Sequence, residues 1–217
     1  MAIGGFSRST IRNLEATAAA CEDVQTIINI AATAEALAVT ALYGSEESAE
    51  QGMLALTPEQ MQVLSAARAV EQTHFEILTA AGAVPLTTTF TIPDPMILTD
   101  TATFLTTLIA LEEAFIAAYM AAAQIFSSLG QHDLVQLAIQ IGATEAEHRA
   151  HARFYAIAGG ILSGVPNNDA FAQAMFPSVG AAAQALIDLG FIGGTGPEVT
   201  YPGSDQFDYT GLLYLMP

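Results

Sequence analysis

The chain has 217 residues, 52% of them hydrophobic and 12% charged, which gives one substantial domain ample material for a buried core. Its 22 acidic residues stand against five Arg and no Lys, a net charge of −17. Nucleic acid and anionic membrane surfaces are disfavoured as partners, because both demand clustered cations. The acidity suits attraction of metal cations, or solubility in a salty or extracellular setting. Cys21 is the only cysteine, so neither an intrachain disulfide nor a thiolate zinc cluster is available. It is expected as a small core residue near the start of an Ala-rich helix. Met1 to Arg12 lacks a charged segment followed by an apolar one, so no signal peptide is visible. The expected location is the cytoplasm, or that of the mature form of an exported protein.

The first predicted helix runs from about Glu22 to Tyr43, with Gly44 as its stop. Ile28, Ala31, Glu35, Ala38 and Leu42 recur at 3-4 spacing and define one face, with Glu35 at its centre. A carboxylate in a core stripe must be paired, protonated or metal-bound, since isolated burial costs several kcal/mol or more. A polar link, Ser45 to Leu56, leads to Thr57-Pro58-Glu59-Gln60, a helix start with Thr at the cap, Pro at the first position and Gln at the third. This second helix extends to Ala81, before Gly82, with a stripe of Leu64, Ala67, Glu71, His74 and Leu78.

Ala83 to Leu98 holds Pro85, Pro93 and Pro95 and reads as an extended crossover with a short strand. About sixteen extended residues reach roughly 50 Å, enough to run the length of a helix of about 26 residues. Thr99 or Asp100 caps the third helix, which ends near Leu129-Gly130. Glu112 and Glu113 lie at its middle on two stripes of nearly equal apolarity, and periodicity does not choose between them. Thr101 to Phe126 could span a bilayer by length, but adjacent carboxylates at its centre favour a core helix and argue against membrane insertion. The fourth helix starts near Asp133 and ends at Gly159-Gly160, aligning Ile141, Glu145, His148, Ala152 and Tyr155 on one face. Glu147 and Arg149 fall off that face and are expected in solvent. After a turn at Val165-Pro166-Asn167-Asn168-Asp169, a short helix spans Ser178 to Leu189, followed by an irregular tail. The expected division is a bundle over residues 1–160 and an extension packing on it over 161–217.

Each half of the bundle carries a Glu on one helix and Glu-x-x-His on the next: Glu35 with Glu71 and His74, then Glu112 or Glu113 with Glu145 and His148. Glu-x-x-His on a helix puts both side chains on one face, and four such helices make the ligand set of a di-metal bundle site. Four carboxylates and two imidazoles, without thiolate, favour Fe or Mn and balance the charge of two divalent ions. His151 reads as an outer or surface group. Tyr119 and Tyr155 read as packing residues with hydroxyls that could reach a ligand, and Arg68 and Arg153 as partners for carboxylates. No phosphate-cradling loop, Gly-x-Ser-x-Gly or cysteine nucleophile motif is present.

Glu35, Glu71-Gln72-Thr73-His74, Leu111-Glu112-Glu113-Ala114-Phe115-Ile116-Ala117-Ala118-Tyr119 and Glu145-Ala146-Glu147-His148 resemble the ferritin-like superfamily. Within it the chain resembles the bacterial ferritin-like domain group related to plant desiccation-related proteins. The resemblance covers about Asp23 to Ala158, and Val165-Pro166-Asn167 and Phe171 resemble the segment after that group's bundle. It implies an all-α ferritin-like four-helix bundle with a long crossover between helices 2 and 3, a short C-terminal helix and an irregular tail. The first Glu of the third-helix pattern is the ligand-like one, so the implied metal set is Glu35, Glu71, His74, Glu112, Glu145 and His148, holding two divalent ions, Fe and/or Mn. The implied chemistry is ferroxidase-like or peroxide-detoxifying reaction with O2 or peroxide in stress protection. A manganese catalase-like enzyme and a non-catalytic structural or assembly protein are the alternatives. The chain departs from rubrerythrins in lacking a Cys-x-x-Cys electron donor. A homo-oligomer is compatible with this reading.

Overall fold

A computed structural model describes residues 22–204 and 207–217. The expectations for Met1 to Arg12 and for Cys21 lie outside the described residues. Four long helices build the bundle: α1 Val24–Glu50, α2 Pro58–Ala80, α3 Thr101–Ser128 and α4 His132–Ala158. Among the described residues, a short α5, Val179–Asp188, and two three-residue strands, β1 Thr89–Thr91 and β2 Glu198–Thr200, accompany it. The chain is all-α in character, a four-helix bundle whose tightest packing is α1 on α2 and α3 on α4. The two helices carrying Glu-x-x-His, α2 and α4, contact each other only sparsely. Three apolar clusters fill the interior, two toward opposite ends of the bundle and one where the crossover and α5 lie against α1 and α3.

The local signals act as their chemistry dictates. Thr57 and Gln60 form a reciprocal capping box on α2, and Gly82 turns away at φ +97°. Asp100, not Thr99, caps α3 through the Thr103 amide, and Ser178 caps α5. The α5 N-terminus is also held from a distance, since both Glu22 carboxylate oxygens accept from the amides of Val179 and Gly180. A carboxylate there meets unpaired N–H groups and the positive end of the helix dipole.

Four expectations need correction. The α1 helix does not stop at Gly44; it continues through Glu50, and the left-handed residue is Gly52, at φ +72°. A glycine ends a helix only when its backbone leaves the helical region. Here the serines of the supposed polar link remain helical, Ser45 bonding back to the Ala41 carbonyl and Ser48 to the Leu98 carbonyl of the crossover. Second, the crossover is not extended throughout, because Asp94 caps a 3-10 turn at Pro95–Leu98. Third, the tail is not wholly irregular: β2 pairs antiparallel with β1, setting Phe90 opposite Val199. The tail backbone passes so close to the crossover at Gly196 that a Cβ would meet the Ile92 carbonyl. Fourth, Arg149 is not solvated but lies half-buried, 3.5 Å from Asp169. The α1 and α3 helices are long and apolar enough to span a bilayer by length, and 72% of the apolar window of α1 is buried within the protein.

Candidate metal centre

The stripe positions bring six side chains from four helices to one point in the bundle. Glu35 and Glu112 are 2% exposed, and Glu71 and Glu145 are fully buried. His74 Nδ1 lies 3.3 Å from Glu71 Oε2, 3.3 Å from Glu145 Oε1 and 3.5 Å from Glu35 Oε2. His148 Nδ1 lies 2.6 Å from Glu71 Oε1 and 3.5 Å from Glu145 Oε2. The donors fall into two groups of four, Glu35-Glu71-His74-Glu145 and Glu71-Glu112-Glu145-His148, whose ligating atoms lie within 4.8 Å of one another. Glu71 and Glu145 belong to both. Of the adjacent acids on α3, Glu112 turns into the cluster, whereas Glu113 is half-exposed and lines a separate cavity with Arg149 and Asp169.

The electrostatics is that of crowded donors. Burial, reinforced by the charges of Glu145 and Glu71, pushes the Glu35 carboxyl well above its usual range. Burial and Glu145 do the same to Glu112. Burial also opposes ionisation of Glu71, but His148 and His74 outweigh it and hold that carboxyl well below the usual range. For both imidazoles burial disfavours the cation, and the surrounding carboxylates overcome it and raise them well above the ordinary value. Proton binding at Glu35, Glu112, His74 and His148 is thereby favoured at the place where cations could bind instead.

Among the described residues, Glu71 Oε1, Glu112 Oε2, both oxygens of Glu145 and His148 Nδ1 are buried without a hydrogen-bond partner. The 2.6 Å approach of His148 to Glu71 lacks hydrogen-bond geometry. Buried acceptors are satisfied almost everywhere in folded proteins, and leaving one bare costs ~1–3 kcal/mol, more when charged. Five bare donor atoms converging on one point fit hard divalent cations, and an all-oxygen-and-nitrogen set suits Fe or Mn.

The surrounding shell holds two features that sequence reasoning weighed lightly or missed. The Tyr119 hydroxyl donates to Glu35 Oε1, so this tyrosine orients a cluster carboxylate as well as packing. Burial and Glu35 hold its phenol well above the usual range, in its donating form. Gln72, inside the second-helix motif, is fully buried, donating to Glu76 Oε1 and accepting from the Tyr201 hydroxyl. Tyr209 donates to the same Glu76 oxygen, so the tail is tied to α2 beside the cluster. Only the four-residue Gln72–Glu76 spacing hinted at this. Tyr155 packs on the neighbouring Phe154 ring, and His151 is exposed. Arg68 pairs with the buried Glu46 at 2.6 Å, and Arg153 pairs with Asp169 at 2.5 Å.

A four-helix bundle with a buried carboxylate–histidine cluster between its helices is the class defined by this fold and site. A family model described as a ferritin-like domain matches residues 22–157, and the chain belongs to that family. No curated protein and no solved structure matches the chain.

Proposed function

We propose that this is a di-metal carboxylate protein of the Fe/Mn type that reacts with O2 or peroxide. The observation that supports the reading is the pair of overlapping donor groups sharing Glu71 and Glu145. In this reading Glu71 and Glu145, which belong to both donor groups, would help to hold both ions, with Glu35 and His74 completing one group and Glu112 and His148 the other. Two divalent ions neutralise the four carboxylates and, when bound, supply one-electron redox chemistry. Tyr119 fixes the orientation of Glu35 and can exchange a proton at its oxygen. The apolar clusters toward either end of the bundle lower the local dielectric and strengthen the charge interactions of the buried carboxylates. Protection against oxidative or drying stress is the role we infer from such chemistry.

Elemental analysis of purified protein should give about two Fe or Mn per chain. A metal-free preparation that takes up neither Fe(II) nor Mn(II) overturns the reading. Oxygen evolution from added peroxide at high turnover would assign catalase-like dismutation, and slow stoichiometric consumption would assign ferroxidase-like chemistry.

A further inference from the structure

Beside the cluster, on the seam where α2 and α4 barely touch, lies a cavity of about 240 Å³. Glu112 and His148 stand at its inner end, while the exposed Glu147 and His151 mark its opening. Between them the wall is apolar, with Leu42, Ala67, Leu105 and Leu108 contributed by three helices. Among the described residues, no Lys or Arg lines it.

The two halves of the bundle allow an internal comparison. Glu35 and Glu112 are 77 residues apart, and Glu71 and Glu145 are 74 apart, so each residue in one half has a counterpart in the other. The inner counterpart, lined by Tyr119 and Ile141, is only about 20 Å³, while on the outer side of Ile141 a groove of about 610 Å³, lined by Thr73, His74, Ile77 and the tail residues Leu213 to Pro217, remains. Tyr119 replaces Leu42, Phe126 replaces Ala49, Ile141 replaces Ala67 and Leu78 replaces Ala152. Ala31 and Ala138 run the other way, in place of Leu108 and Leu64, and do not reopen it. The inner counterpart positions are packed as protein interiors normally are, so one half keeps an apolar chamber between its helices and the other an outer groove beneath the tail.

We propose that this chamber binds a neutral apolar organic molecule and presents one end of it to Glu112 and His148. O2, peroxide and water need no such volume. An apolar cavity of about 150 Å³ holds one benzene, so the chamber fits a chain or ring system of roughly eight to ten carbons. A carboxylate or phosphate headgroup is disfavoured, since among the described residues the lining offers Glu112 and Glu147 but no Lys or Arg, and the His148 imidazole already faces Glu71 and Glu145. The role of such a molecule as a substrate rests on the di-metal reading; its binding does not.

The test is calorimetric titration of the full chain, metal-loaded and metal-free, with 1-octanol and with octanoate. Saturable binding of about one octanol per chain is expected, with octanoate at least about tenfold weaker. Ala67→Phe and Leu42→Tyr add bulk at the positions that Ile141 and Tyr119 fill in the other half and should each weaken octanol binding by at least about tenfold, at unchanged metal content. Absence of saturable octanol binding overturns the proposal, as does equal affinity for octanoate or undiminished binding in a folded variant. Should neither variant fold, the octanol–octanoate comparison on the native chain decides alone. Octanol binding by a chain that cannot be metal-loaded would sink the di-metal reading and leave the chamber standing.

Discussion

The two helix pairs carry the same donor pattern in different surroundings. In α1–α2 the pair is clamped by ionic contacts: Arg68 bonds the buried Glu46, which also accepts from Ser65 at 2.5 Å. The α4 counterpart of Arg68 is Gly142, where a Cβ would stand 3.2 Å from Tyr119 Cβ, so the α3–α4 pair closes by direct contact. Glu35 receives the Tyr119 hydroxyl, whereas Glu112 keeps one oxygen unpartnered among the described residues and has the aliphatic Leu42 at the equivalent position. The difference teaches that helix spacing decides where the donors meet, and the neighbours of each donor decide what else can reach it.

The comparison breaks most visibly at the shared carboxylates. Glu145→Ala should take the metal content from about two ions per chain to near none, because each ion depends on it. Glu35→Ala or Glu112→Ala should leave about one, in opposite halves. Equal losses for all three, by elemental analysis, would show that the cluster is not two overlapping sites. Acid should empty both halves. His74 and His148 are pushed well above the ordinary imidazole range by their carboxylates, and Glu35 and Glu112 well above theirs by burial, so protons compete with metal increasingly as pH falls. Metal is retained at high pH and lost as pH falls; full occupancy after long dialysis against chelator at about pH 4 would contradict carboxylate–histidine ligation.

Next in size are the ion pairs. Arg68→Met strands the buried Glu46 and should cost about 3 kcal/mol of unfolding free energy. Arg153→Met, whose partner Asp169 is 37% exposed, should cost about 1 kcal/mol or less. Equal costs in denaturant titrations would mean that the first half is not clamped as described. Tyr119→Phe then removes the hydroxyl from Glu35 and should destabilise the metal-free chain by ~1–3 kcal/mol. A metal-free melting temperature matching that of the native chain would reduce Tyr119 to packing alone.

What could be read from the sequence was what is local. The cap at Thr57, the stops at Gly82 and Gly130 and the start of α5 at Ser178 each rest on a few adjacent residues and stand where expected. The convergence of Glu35, Glu71, His74, Glu145 and His148 was legible too, since each replaces an apolar residue in an inward stripe. Periodicity could not separate Glu112 from Glu113; a family pattern pointed to the first, and the structure turns that one inward. The rest depends on distant partners. Gly44 looks like a stop until Glu46 is seen to need Arg68, 22 positions on, which holds the last turns of α1 in place. Nothing near Phe90 names Val199 as its strand partner, and the tail's hold on Gln72 through Tyr201 is equally remote.

The smallest expected difference lies at the helix starts. The α2 helix begins with a reciprocal Thr57–Gln60 box, at 3.2 Å from the Gln60 amide to Thr57 Oγ1 and 2.8 Å from the Thr57 amide to Gln60 Oε1. The α4 helix begins at Gln131, whose side chain caps nothing and whose ψ of 69° departs from the extended backbone of a good cap. Thr57→Ala should therefore cost about 1 kcal/mol, while Gln131→Ala should cost close to nothing. Gln131→Asp, by contrast, offers an acceptor to the bare amides and a charge to the helix dipole, and should stabilise by roughly 0.5 kcal/mol. That gain requires residue 131 to relax toward the extended region. A loss on Gln131→Asp would mean that the three-residue α3–α4 turn, Leu129 to Gln131, fixes the backbone too firmly for a cap to form. The close packing of that pair would then extend to its loop.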